Sequence, residues 1–342
     1  MLHYVTRELH SYTIDRFIDS YRGSGVTLPV ALRALSYETL LALRRAPIGN
    51  YIFSDLDRLS AFEIDAVSEI AKAVHAADGR AMISNWPNRV LGRYALLRRL
   101  QESGINSFGV WRLDEERLPT AYPVFIRREQ DALGPETPLL HDEREYRAAV
   151  DALQRAGKGL SGRIAVQFRQ VPDANGLYRK YGAFFFRGRV VPQHLFLSSN
   201  WIVKRSTLDL TPEMIAEEER YVFENPHEEE LRRIFALAET DFGRVDYGVI
   251  DGRIEVFEIN TNPNFPRMRL QNDGRARRRG HVLDGVVKGF GDLDPPGVAR
   301  GLVRFKSPKP KLHRLRDRSL GRRLGDLSAG CKWRALALLG RL

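Results

Sequence analysis

The sequence predicts a chain of mixed α/β and α+β class, and three observations carry that expectation. Strand-like and helix-like segments alternate through the first 113 residues. Paired apolar runs flanking Arg187-Gly188 and Asp251-Gly252 read as antiparallel hairpins. The 342 residues, 43% of them hydrophobic, suit two or three packed units with a sizeable core.

The elements follow in order. Leu28–Arg45 is expected to be helical. Tyr51-Ile52-Phe53 is a short apolar strand ending at Ser54-Asp55. Ser60 and Glu63 form the two halves of a capping box, and the helix they open carries Phe62, Val67, Ile70, Ala71 and Val74 along one side to about Ala77. Ala81–Ser84 is a strand. The Asn85-Trp86-Pro87-Asn88 turn leads into a helix reaching Glu102, and Ile105–Arg112 is strand-like. Strand, helix, strand, helix, strand predicts a parallel sheet flanked by helices. Strands are further expected at Pro123–Ile126 and Ile164–Phe168, around the helix Asp142–Gly157. Tyr181–Phe186 and Arg189–Val191 form one hairpin. Thr211 caps a helix with Pro212 in its first turn, running to Phe223, and Glu228–Thr240 is another helix. Val245–Ile250 and Arg253–Ile259 are the second hairpin.

Composition excludes several classes. No apolar run approaches the roughly 18 residues needed to cross a bilayer, and the first residues lack the apolar core of a signal peptide. A single cysteine, Cys331, allows neither an internal disulfide nor a cysteine-rich zinc site. A cytoplasmic location is the expectation. The formal net charge is +11, and the last 43 residues account for it with 13 Lys/Arg against 2 Asp/Glu. The body is neutral, so any statement about acidic partners concerns the tail. The first reading of such a tail is a disordered, solvated segment; the sharper alternative is contact with an anionic membrane surface, which would make the protein membrane-peripheral. With one tryptophan and no aromatic interleaving, the tail predicts no specific nucleic acid partner. Cys331–Leu339 is expected to form a short helix.

The chemistry centres on the second hairpin. Residues i and i+2 of a strand share a face, so Glu258 and Asn260 project together, and the Asp-Gly turn folds Asp246 back beside them. Two carboxylates and an amide oxygen form an all-oxygen set suited to Mg²⁺, leaving positions for phosphate oxygens and water. No Ser/His/Asp or Cys/His arrangement stands out.

The run Glu258-Ile259-Asn260-Thr261-Asn262-Pro263, with Asp246 on the preceding strand and Arg244 two residues before it, resembles the metal-binding signature of the ATP-grasp ligases, such as the D-alanine–D-alanine ligases. The resemblance implies Asp246, Glu258 and Asn260 as ligands of Mg²⁺, with Mn²⁺ as a substitute, and Arg244 as the group that steadies the reacting phosphoryl. It extends loosely back to about residue 50. Arg93 lies 11 residues before Gly104-Ile105, where the family has a lysine that contacts ATP, and Arg127 follows the Pro123–Ile126 strand, where it has another. Arginine keeps the charge but is bulkier and not interchangeable with lysine. Gln167, Lys180 and Asn262 are the remaining ATP-binding expectations. Phe168 stands where an acid is usual, leaving Gln170 and Asp173 for the ribose. Ser199-Asn200-Trp201 and Lys204-Arg205 fall where the family builds acceptor or phosphate contacts. His194 is read as structural.

The implied architecture is a Rossmann-like N-terminal domain over residues 1–113 followed by a two-lobed ATP-grasp fold. The lobes are expected at 114–170 and 171–292, with the basic tail at 293–342. The implied function is an ADP-forming ligase that activates a small-molecule carboxylate as an acyl phosphate and passes it to an amine or thiol. The rivals are a small-molecule kinase and a non-catalytic nucleotide-binding module whose tail binds a membrane or partner.

Overall fold

The first strand, β1 (Leu2–Thr6), is wholly buried and sits inside a parallel sheet. The structure is a computed structural model that describes residues 1–115, 117–130, 134–204, 210–268 and 276–306. Helix α1 (Tyr12–Ser24) leads to β2 (Leu32–Ser36), which pairs with β1 in register from Leu2 beside Leu32. Helix α2 (Tyr37–Leu43), capped by the Ser36 side chain, and strand β3 (Arg45–Pro47) follow. The helix expected over Leu28–Arg45 is thus split. Leu32–Ser36 is only partly buried, so it shows no strong alternation, and hydrogen bonding along β1 overrides its local preference.

Strand β4 (Asn50–Phe53) lies on the other side of β1, and β5 (Ile83–Ser84) beyond it, giving the order β2-β1-β4-β5. Between them runs α3 (Ala61–Ala77) with both halves of the predicted capping box formed. Helix α4 (Arg93–Glu102) starts later than the turn residues implied but ends at Glu102 as expected. The third predicted strand shrinks to β6 (Val110–Arg112) and leaves the parallel sheet. It pairs antiparallel with β8 (Arg163–Gln167), which also holds β7 (Val124–Arg128). Helix α5 (Glu143–Arg155) covers this small sheet, its Tyr146 and Leu153 clustering with Trp111, Val124 and Ile126.

A four-stranded antiparallel sheet makes the largest core. Its order is β10-β9-β11-β12, from β9 (Tyr178–Phe186), β10 (Arg189–Ser198), β11 (Phe242–Ile250) and β12 (Arg253–Asn260). Phe184, Phe186, Phe242, Tyr247 and Phe290 pack at its centre. Helices α6 (Pro212–Glu224), α7 (Glu228–Leu237) and α8 (Ala276–Asp292) accompany it. The segment expected as tail contains β13 (Leu302–Arg304), paired with β3, and a buried Phe305. Residues 1–305 form one compact unit. The helix expected over Cys331–Leu339 lies outside the described residues. Among the described residues, no helix is long and apolar enough to cross a membrane.

Candidate active site

Asp251 and Gly252 both take positive φ, 51° and 75°, as a two-residue hairpin turn of the twist-matching kind requires. From that turn β11 and β12 pair regularly as far as Tyr247 opposite Val256. The register then shifts, and Asp246 stands opposite Glu258. Phe257 is the extra residue of a β-bulge. Without it Asp246 would face a phenylalanine. With it, Arg244 faces Asn260 and Asp246 faces Glu258, and all four occupy one face of the sheet. The displaced Phe257 ring lies over Gly248, where an added Cβ would come within 2.8 Å of it.

Asp246 is 2% exposed. Lys180 Nζ donates to Oδ2 at 3.0 Å, and Arg244 Nε donates to Oδ1 at 2.9 Å. Burial alone would raise the Asp246 pKa, but the Arg244 and Lys180 cations outweigh it and hold the carboxyl below its ordinary value. Glu258 behaves alike: burial raises it, and Arg93, aided by Arg127, brings it below the usual range despite the charge of Asp246. Arg93 Nη2 donates to Glu258 Oε2 at 2.5 Å, and Arg127 Nη2 lies 3.7 Å from the same oxygen. Arg93 opens α4 and also donates to the backbone oxygen of Glu129, tying β12 to the small sheet. The alternation of β7 buries Val124 and Ile126 beneath α5 and turns Phe125 and Arg127 to the other face.

These groups border a cavity of about 330 Å³ between the two antiparallel sheets. One end is charged, with Arg93, Arg127, Lys180, Arg244, Asp246, Glu258 and Asn260. The other is apolar, with Phe125, Val166, Phe168 and Trp201. Trp201 touches both rings, its centroid 5.2 Å from each. Gln167 lies on the wall, its side-chain oxygen accepting from Gly109 N at 3.0 Å. Gln170 and Lys204 line it too.

Asn262 is placed elsewhere. It is 4% exposed and does not line the cavity. Its oxygen accepts from Tyr4 and Thr13 at 2.8 and 2.6 Å, and its nitrogen donates to Thr6 and to the His10 backbone oxygen. Its backbone N–H donates to Asn260 Oδ1 at 2.8 Å, which fixes the Asn260 amide and leaves that oxygen a lone pair. Asp173 pairs with Arg179, which also binds Glu217. His194 is buried and held well below its ordinary pKa, first by burial and then by Arg244. Arg205 lies outside the described residues.

Two carboxylates and an amide oxygen are hard donors that fit Mg²⁺ or Mn²⁺. Among the described residues, no three His, Cys, Asp or Glu side chains cluster as a metal site. Sequence reasoning missed Phe257, whose bulge is invisible in alternation, and the aromatic end, whose rings come from separate segments.

No family model matches the sequence, and no curated protein matches it. Among solved structures, the chain is similar to a D-alanine–D-alanine ligase from Bacillus anthracis complexed with ATP, at 11% identity and a TM-score of 0.48, over 85% of this chain and 97% of that one. It is also similar to a RimK domain ATP-grasp protein from Sphaerobacter thermophilus, at 16% identity and a TM-score of 0.45, over 85% and 99%. A third is the ATP-grasp ligase PsnB, complexed with a precursor variant, Mg and ADP, at 9% identity and a TM-score of 0.44, over 84% and 97%. Likenesses at these values transfer neither activity nor residue roles to this chain.

Proposed function

We propose that the chain is an ATP-grasp enzyme, an ADP-forming ligase joining a carboxylate to an amine, with a Rossmann-like N-terminal part. The observation that carries the reading is the bulged hairpin, which sets Arg244, Asp246, Glu258 and Asn260 on one face at the charged end of a cavity with an apolar, aromatic far end. A nucleotide has the same polarity. Its base suits the slot of Phe125, Phe168 and Trp201, and its phosphates suit Arg93, Arg127 and Lys180. Asp246, Glu258 and Asn260 would hold Mg²⁺, which when bound supplies charge neutralisation at the phosphate oxygens.

Carboxylates are poor electrophiles, and phosphorylation gives them a leaving group. A carboxylate oxygen attacks the γ-phosphorus of ATP, the bond from that phosphorus to the bridging oxygen breaks and ADP leaves. An amine then attacks the carbonyl carbon, the C–N bond forms, inorganic phosphate leaves with the electrons of the broken C–O bond, and the amine's proton passes to solvent. Such transfer needs positioned positive charge rather than a protein nucleophile, and the arginines supply it.

Glu258→Gln tests the reading. The variant should stay folded by circular dichroism, because Gln retains an oxygen for Arg93. It should lose Mg²⁺-dependent ATP binding in calorimetry. Wild-type affinity for Mg·ATP in that variant would overturn the metal assignment. Hydroxylamine should trap a hydroxamate when the right carboxylate is present; a stable phosphorylated product with nothing trapped would make the protein a kinase. We also propose that the basic tail contacts anionic lipid, by its charge alone.

A further inference from the structure

A separate cavity of about 280 Å³ opens where β5, the edge of the parallel sheet, meets the Arg187-Gly188 turn of the β9–β10 hairpin. It shares no lining residue with the nucleotide-sized cavity. Seams of this kind are where small-molecule sites form. The seam itself is tied. Asn85 Nδ2 donates to the Phe53 and Phe242 backbone oxygens, and Arg187 N donates to Asp241 O at 2.7 Å. The polar side chains on the cavity wall are His75, Arg80, Trp86 and Arg187, and among the described residues no carboxylate lines it. Met82 and Ile83 add apolar surface. The His75 ring meets the indole edge-on, and the Arg89 guanidinium lies 5.6 Å from the indole centroid, adding positive charge beside it. Arg80 donates through Nε and Nη2 to Asp78 at 2.9 and 2.8 Å, which leaves Nη1 unbonded among the described residues. The Arg187 side chain is exposed and makes no hydrogen bond or ion pair among the described residues. Asp241, its neighbour in the backbone pairing, accepts instead from Asn85 N. Arg187 also holds a φ of 42°, in a turn position that favours Asn, Asp or Gly. The fold therefore makes no use of this guanidinium and would be better served by a smaller residue.

We propose that this cavity binds a small phosphomonoester of a planar ring, with the phosphate between Arg80 and Arg187 and the ring against Trp86. The wall carries cations and donors without an acid, so the ligand is an anion. Two guanidiniums from separate elements suit a phosphate, whose three terminal oxygens accept from both sides, whereas a carboxylate is satisfied by one fork. The indole supplies a flat apolar face for a ring. The volume suits a single ring with its phosphate. Such a ligand bridges the parallel sheet and the large antiparallel sheet. The proposal stands on this cavity alone and is independent of the ligase reading.

Phenyl phosphate, benzoate and phenol, titrated into the full chain labelled with ¹⁵N-tryptophan, test it. The four tryptophans give four indole N–H signals, and Trp86→Phe identifies the one at this cavity. Should that variant fail to fold, Arg89→Ala identifies it instead, because Arg89 lies over that ring and its loss displaces the signal. Phenyl phosphate should move the Trp86 signal and bind roughly tenfold more tightly than benzoate, a difference of one charge-assisted contact. Phenol should not move it. Arg187→Asn keeps the fold, since the turn favours Asn, and should weaken the Trp86 response to phenyl phosphate by roughly tenfold. Arg187→Gly, which adopts the same φ freely, should do the same. An unmoved Trp86 signal, benzoate binding as tightly as phenyl phosphate, or a response that survives both Arg187 substitutions would overturn the proposal. A response of the Trp201 signal alone would put the phosphate in the other cavity and overturn it as well.

Discussion

Arg244 and Asn262 leave the same hairpin in opposite directions. Arg244 reaches Asp246 and the cavity, and Asn262 reaches Tyr4, Thr6, His10 and Thr13 in the N-terminal unit. Their substitutions should therefore fail differently. Loss of one preorganised charge-stabilising donor typically costs about 10²–10³ in kcat. Arg244→Ala should lose ADP release of that order while keeping most of its ATP affinity, because Lys180 still neutralises Asp246. ATP affinity lost in parallel with turnover would make Arg244 a ground-state anchor instead. Asn262→Ala strands several buried polar groups, each costing about 1–3 kcal/mol. It should lower stability by roughly 3 kcal/mol in urea unfolding, with much smaller changes in nucleotide affinity per folded molecule. An unchanged urea midpoint with lost affinity would return Asn262 to the nucleotide.

At the scale of elements, β9 passes between β10 and β11, and its Gly182 stands opposite both His194 and Asp246. The absent side chain gives the His194 ring its place; a Cβ there would lie 2.4 Å from Cε1. Gly182→Ala should cost about 1–3 kcal/mol as an overpacked core and loosen the adjacent Lys180–Asp246 pair. Shrinking the ring with His194→Ala should recover part of that loss, measured as a non-additive double-mutant cycle. Strict additivity would show that the two do not share the space. Gly182 also illustrates what a sequence conceals. The capping box of α3 and the Asp251-Gly252 turn are legible because their causes lie within four residues. The strand Leu32–Ser36 was not, because its hydrogen bonds come from β1. The two acids were legible as a pair, but the bulge that makes Glu258 rather than Phe257 face Asp246 is a property of two strands together. Asn106 was hidden for the same reason: its side chain exchanges hydrogen bonds with the Val256 backbone at the edge of β12, as a strand would.

At the scale of the whole molecule, the unit formed by residues 1–305 has a definable C-terminal boundary. Ala299 N donates to Asp78 Oδ2 at 2.7 Å, β13 pairs with β3, and Phe305 is 8% exposed among the residues packed on the parallel sheet. Residues through 305 therefore belong with the N-terminal unit. Two truncations should behave differently. Removing residues 307–342 should leave unfolding and nucleotide binding unchanged. Removing residues 300–342 also deletes β13 and Phe305, whose burial alone stabilises by about 1.5–3 kcal/mol, so this shorter chain should unfold at lower urea. If the tail contacts anionic lipid, the full chain should sediment with phosphatidylserine vesicles at low salt. It should release as ionic strength rises, since such attraction is screened within about 10 Å at 0.1 M. The 307–342 truncation should not sediment at either salt. Equal sedimentation of the two proteins at low salt would move the membrane contact from the tail to the folded unit, where Arg277, Arg279 and their neighbours on α8 would be the next residues to replace.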